Sequence, residues 1–341
     1  MPAESLIPGD DDYRDRIGSP WASATAGKDA ITGVAMPPEG ALGVVGEPEG
    51  GEATSTGGIL RQIARVFAEN KLAVASLAVI ILIFLFCFVG PLFYHTNQTN
   101  AQLALQTSQQ AAPPGHGHPL GTDPSGFDIL GRLMYGGQSS LEVGIAAALV
   151  ATIFGVIYGA ASGFIGGWFD ALLMRIVDIL LSIPQLFLLI VLAVIFTPSK
   201  GLLILVIAFA AWLVPARLVR GETLTLRVRE YVQAVSIMGG SRKRIVVRHI
   251  IPNSIGTIVV NATFQVADAI LLLAALGFLG LGIPAPETDW GTMVSNGIQY
   301  ALSGDWWLIY PAGICIVLVV VAFNYIGDAL RDSLEVRLQR R

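Results

Sequence analysis

LLILVIAFAAWLVPARLV (residues 202–219), RGETLTLRVREYVQAVSIMGGSRKRIVVRHIIPNS (220–254) and IGTIVVNATFQVADAILLLAALGFLGL (255–281) follow one another without interruption. Two apolar blocks flank a segment that carries Arg220, Arg227, Arg229, Arg242, Lys243, Arg244 and Arg248. Each block approaches or exceeds the length a helix needs to cross hydrocarbon, about 20 residues. Two such blocks joined by a basic loop are the pattern of a polytopic membrane protein, and the Lys/Arg excess predicts a cytoplasmic loop.

The same reading extends outward. Apolar blocks recur near 72–93, 141–163, 172–196 and 308–327, so the expected fold is all-α with six transmembrane helices and a basic cytoplasmic loop. The chain is 53% hydrophobic and 13% charged, far from the roughly 25% charged residues of soluble domains. A net charge of −4 gives no electrostatic basis for binding nucleic acid. Cys87 and Cys315 lie inside apolar blocks and read as small buried hydrophobes. No metal-ligand spacing and no catalytic constellation is present, so the chain is read as a non-enzyme that binds no cofactor itself.

With the basic loop inside, both termini are cytoplasmic, and Arg331, Arg337, Arg340 and Arg341 fall on the same side. The outer loops keep Arg132 and Lys200. Trp290, Trp306, Trp307 and Tyr310 are expected to form an outer interfacial belt. Pro184 lies within the third span, where a membrane helix can tolerate it. Residues 1–58 are different: rich in Gly, Pro, Ala and acids, without periodicity, they are expected to be a disordered cytoplasmic tail. Residues 59–341 form the membrane domain.

Within the loop, Tyr231, Ala234, Val235 and Met238 recur at helical spacing. Gly239-Gly240 should end that helix, because glycine adopts the left-handed conformation readily. Ser241 can cap a second helix, and Pro252 is expected to end it where the chain re-enters the membrane. A small-residue helix beside basic residues is either a lipid-facing connector with snorkelling cations or a docking helix for a partner's groove.

This loop resembles the coupling loop of ABC importer permeases: Gln233-Ala234-Val235, Gly239, then His249 and Ile251-Pro252 occupy the family's places. Gln233 replaces an acid, Val235 an alanine and His249 an isoleucine; Gly240 follows the key glycine. Further segments resemble the C-type permease subunit of dipeptide and oligopeptide importers. They are Asn70-Lys71-Leu72-Ala73, His118-Pro119-Leu120-Gly121-Thr122-Asp123 running on to Asp128 and Arg132, Met174 to Asp178, Phe278 to Gly282, Trp290-Gly291, and Asn324 to Asp332. Phe127 stands where that family usually has Arg, Gly131 and Gly277 where it has Ser, and Leu273 where it has an acid. The resemblance covers roughly residues 60–337. It implies a heterodimer with a second permease subunit, two cytoplasmic ATPase subunits that hold ATP and Mg, and an extracytoplasmic solute-binding protein. Peptides are the implied solutes; nickel complexes, glutathione and some sugars belong to the same subfamily.

Polar residues inside the spans are candidate path residues, since charge in hydrocarbon is costly. Asn261, Gln265 and Asp268 recur at i, i+4 and i+7 and make one stripe, which either lines a solute path or bonds between helices. Arg175 and Asp178 can pair on one helix face. The rival from another class is an ion-coupled secondary transporter, for which internal repeats would be expected.

Overall fold

Each predicted apolar block becomes helix, but four of the six do so differently from the sequence expectation. The computed structural model describes residues 65, 67–94, 98, 110–115, 117–196 and 198–339, with 335–339 by backbone alone. The predicted tail, 1–58, lies outside the described residues. The described residues belong to one unit, Ser55–Arg341, and are helical apart from turns and two isolated bridges, Gly115–His118 and Thr122–Asp128.

Helix α1 (Lys71–Phe93) starts at Asn70, whose side chain accepts from the amides of Leu72 and Ala73. Helix α2 (Ile129–Ile165) begins well before the expected residue 141. Its first turns, GRLMYGGQSS, are small and polar and read as loop, yet they are buried against other elements rather than in lipid. The third span is two helices, α3 (Gly167–Leu181) and α4 (Gln185–Ile195), bent by 83°. This corrects the expectation of a single tolerant helix. Pro184 offers no N–H and disfavours helical geometry at Ile183, while Ser182 closes α3 by donating through Oγ to the Ile179 carbonyl at 2.6 Å. The fourth span is α5 (Lys200–Ala211) and α6 (Leu213–Leu226), bent by 43°.

After a short helix α7 (Glu230–Ile237), α8 runs from Arg242 to Phe278. Pro252 therefore does not end a helix, contrary to expectation. A π turn over Val246–Ile250 widens the backbone just before it, so the ring avoids the carbonyl four residues back. The same device recurs in α1, where a π turn at Leu85–Val89 precedes Pro91. Helix α9 (Trp290–Ile298) and α10 (Tyr310–Gln339) complete the described fold. Among the described residues four helices are long and apolar enough to span, and there are six spans if each bent pair counts as one.

The central seam joins α2 to α6. Gly155, Gly159 and Gly163 recur every four residues on α2. A Cβ on Gly155 would lie 2.8 Å from Pro215 Cγ, one on Gly159 would strike the Ala216 carbonyl, and one on Gly163 would lie 2.9 Å from the Arg220 carbonyl. Small residues at this spacing let membrane helices approach closely. A second core gathers α1, α2, α9 and α10 around Trp290, which is 0% exposed and donates Nε1–H to the Leu133 carbonyl at 3.0 Å. Trp290 and Trp307 are thus buried core residues and not belt residues; Trp306 and Tyr310 remain exposed.

Two glutamines complete the packing. Pro91 and Pro215 cannot donate to the carbonyls four residues before them, Cys87 and Ala211. Gln138 of α2 donates Nε2–H to the Cys87 carbonyl at 2.7 Å, and Gln265 of α8 donates to the Ala211 carbonyl at 2.9 Å. In hydrocarbon no water can do this, so a neighbouring helix does.

Candidate functional site

Three groups of candidate residues fall in three places. The first is α7 and the start of α8. Val232 is 3% exposed and packs with Ile245 and Ile250, which anchors α7 to the bundle. Val235 packs partly against the same cluster. Gln233 and Ala234 are exposed, and Ile237 (86%) and Met238 (77%) project into solvent. The helix ends as its glycines require. Gly239 has φ +83°, its amide bonds the Ser236 carbonyl, and the Gly240 amide bonds the Val235 carbonyl at 2.9 Å. This paired closure is the glycine C-cap. At Gly240 a Cβ would press within 2.7 Å of Val235 Cγ1. Ile237 and Val232 escaped the sequence reading: helical spacing alone does not say which stripe faces in. His249 and Ile251 are half-buried, and Pro252 is exposed.

The second group is the loop before α2. Asp128 caps α2 by accepting from Gly131 N at 2.7 Å, and its other oxygen meets His118 Nδ1 at 3.1 Å. Asp123 accepts from Ser125 N and Phe127 N and pairs with Arg132 at 3.3 Å. Burial pushes the Asp123 carboxyl above its ordinary value, against the opposing pull of Arg132 and these amides. Thr122 Oγ1 accepts from Ala112 N, and Gly121, at φ +76°, lies against Trp307. These motif residues hold one another and the start of α2, a scaffold rather than an open site. Phe127, where the resembled family has Arg, lies under the Arg132 guanidinium at 4.9 Å. Gly277 leaves room for the Asp289 carboxylate, and Leu273 is buried in an apolar core where an acid would be costly.

The third group is the stripe on α8, which the structure divides. Gln265 is 5% exposed and spent on the Ala211 carbonyl, Asn261 is half-buried, and Asp268 is exposed in a cleft beside Pro184. The expected Arg175–Asp178 pair does not form. Asp178 pairs with Arg217 instead, and Arg220 grips Asp170 through two bonds of 2.9 and 2.6 Å, with Ser162 donating to the same carboxylate. These ties fasten α3 to α6 beside a cleft of about 790 Å³ that Arg175 also lines. Helix geometry permitted the local pair, but an arginine on the facing helix reached the carboxylate.

Residues 151–340 match the family described as binding-protein-dependent transport system inner membrane component, and residues 58–114 match the N-terminal transmembrane domain of oligopeptide transport permease C. The chain belongs to this permease family. It is 38% identical to the dipeptide transport system permease protein DppC of Bacillus subtilis over 81% of this chain and 85% of that one. It is 42% identical to the oligopeptide transport system permease proteins OppC of Haemophilus influenzae and Escherichia coli K12. Those alignments cover 80% of this chain and 86% and 89% of theirs. The chain is therefore an ABC-type permease, a multi-pass inner-membrane protein. The break in its third span, a device that gradient-driven transporters also use, occurs here in an ABC permease.

Proposed function

We propose that this chain is the transmembrane subunit of an ATP-driven peptide importer and that α7 carries the motion of partner ATPases into the bundle. One observation carries the reading. A short helix, anchored by Val232, presents Ala234, Ile237 and Met238 outward and closes on Gly239-Gly240. Exposed apolar side chains on a rigid mount suit a partner's groove. The relatives' names, dipeptide and oligopeptide permeases, support peptides as the solute.

In this reading both termini are cytoplasmic. The chain pairs with a second permease subunit, stands on two ATPases that bind ATP and Mg, and receives solute from an extracytoplasmic binding protein. ATPase closure moves α7. Because α7 is tied through Ile245 and Ile250 to the start of α8, that motion tilts a full span and alternates access between two packed states.

The test is co-purification of the ATPases with the permease and solute-stimulated ATP hydrolysis. Gly239→Asp forces a side chain into left-handed geometry, which costs about 1–2 kcal/mol. Ala234→Glu places a charge at the contact. Both weaken docking and leave membrane insertion intact, while Lys243→Gln, on an exposed side chain, changes little. Wild-type copurification and hydrolysis in both α7 variants would remove the coupling role.

A further inference from the structure

We infer that the cleft between the α3–α4 break and α8 receives the ammonium group of the transported solute, with Asp268 as its counter-charge. The inference rests on the importer reading above and names a chemical group that the path must recognise.

Asp268 is midway along the apolar stretch 255–281. It makes no hydrogen bond or ion pair among the described residues, and it opens into a cleft of about 270 Å³. Leu181, Pro184, Gln185, Val214 and Gln265 share the lining. An ionised side chain at that depth is not left facing lipid, since it would cost several kcal/mol. It faces water, a partner or a cargo.

Gln265 narrows the choice. Its amide nitrogen is committed to the Ala211 carbonyl, which Pro215 leaves unpaired. An acceptor at that position fixes the amide orientation, so the oxygen is the free end. That oxygen is buried and has no partner. A buried acceptor left unpaired costs about 1–3 kcal/mol and calls for a donor. The side chains that bring polar groups to this cleft are Asp268, the one charge among them, Gln185, and Gln265 with its buried unpaired oxygen; the rest of the lining is apolar. A solute ammonium supplies both charge and N–H donors, and its attached carbon chain meets the leucine, valine and proline walls. A bare metal cation fits less well: hard cations take six or more oxygen ligands at short range, and a cleft of about 270 Å³ is far larger than an ion. The broken span brings two opposed helix ends to the cleft, the C-terminal end of α3 through Leu181 and the N-terminal end of α4 through Pro184 and Gln185, so their dipoles offset and Asp268 itself supplies the negative charge.

The experiment uses the complete transporter, with binding protein and ATPases, in membrane vesicles. Gln185→Cys, with Cys87 and Cys315 replaced by alanine, reports local charge through its reaction with a cationic and an anionic methanethiosulfonate. The cationic preference should fall about tenfold in Asp268→Asn, the effect of removing one nearby charge across a partly wet gap. Ala-Ala-Ala should slow the labelling, and N-acetyl-Ala-Ala-Ala should not; this comparison needs no change at position 268. Initial Ala-Ala-Ala uptake should drop at least about tenfold in Asp268→Asn and recover in part in Asp268→Glu. An unreactive cysteine, an unchanged reagent preference, or equal protection by both peptides overturns the inference. Wild-type transporter that imports no peptide sinks the peptide reading instead, while the reagent preference still decides the role of Asp268.

Discussion

Replacing Gln138 by leucine tests whether a glutamine on one helix substitutes for the N–H that a proline removes from another. Gln138 Nε2 lies 2.7 Å from the Cys87 carbonyl, four residues before Pro91. Leucine is close to glutamine in volume, so the change opens little cavity and acts mainly by deleting a donor. A buried carbonyl left unpaired costs about 1–3 kcal/mol, and polar contacts between membrane helices have averaged about 0.6 and reached about 1.7 kcal/mol. A loss of about 1–1.5 kcal/mol is expected. The discriminating step is Pro91→Ala. Alanine restores an N–H at the place where an α-helix bonds the Cys87 carbonyl, so Gln138→Leu in that background should cost less than about 0.5 kcal/mol. The coupling energy of the cycle is then about 1 kcal/mol, well outside the scatter of independent sites. SDS titration of the detergent-purified chain, followed by helical circular dichroism, measures all four proteins. Equal costs of Gln138→Leu with and without Pro91 would refute the compensation, as would no cost at all.

The seam between α2 and α6 has no room at Gly159, where a Cβ would strike the Ala216 carbonyl. Gly159→Val should therefore lower the yield of monodisperse permease sharply, because backbone cannot yield as a side chain can; overpacking alone costs about 1–3 kcal/mol, and normal yield and melting would contradict it. Asp289 caps α9 by accepting from Thr292 N, and its other oxygen accepts from Ile283 N and Thr292 Oγ1. Burial raises its carboxyl above the ordinary range against those bonds, so charge is the lesser part of its value. Asp289→Ala should cost about 2–4 kcal/mol and Asp289→Asn distinctly less, read by the same SDS titration; a larger loss in the asparagine variant would reverse the assignment. For topology, Ser241→Cys in a cysteine-free chain should resist an impermeant maleimide in intact cells and react in inverted vesicles; labelling from outside would invert the proposed orientation.

The spans were legible because bilayer crossing is a one-dimensional requirement: length and apolarity suffice, and the six blocks meet it without knowledge of their neighbours. What failed were features fixed in three dimensions. The start of α2 is buried by protein, not lipid, so its Gly and Ser residues carried no membrane signal. Trp290 looks interfacial by residue type, yet its indole is enclosed and its N–H reaches the Leu133 carbonyl far away in sequence. The prolines were ambiguous in a particular way. Pro252 and Pro91 are absorbed by π turns, whereas Pro184 breaks its span. The sequence near Pro184 supplies Ser182, which closes the preceding helix; near Pro252 no such terminator exists.

The polar residues of the spans show why a path cannot be read from a stripe. Asn261, Gln265 and Asp268 share a face by spacing, and one role for all three is the simplest sequence inference. In the fold their roles separate according to what each meets. Gln265 meets a carbonyl that Pro215 left bare, so its amide nitrogen is structural and only its oxygen stays available. Asp268, one turn on, meets no donor among the described residues and opens into the cleft at the break in the third span. Gln138, which no stripe includes, does for Pro91 what Gln265 does for Pro215. A proline in one helix thus dictates a donor in another, and the demand is invisible along either helix alone. Once those donors are assigned, Asp268 stands as the charged residue of the stripe that finds no partner among the described residues.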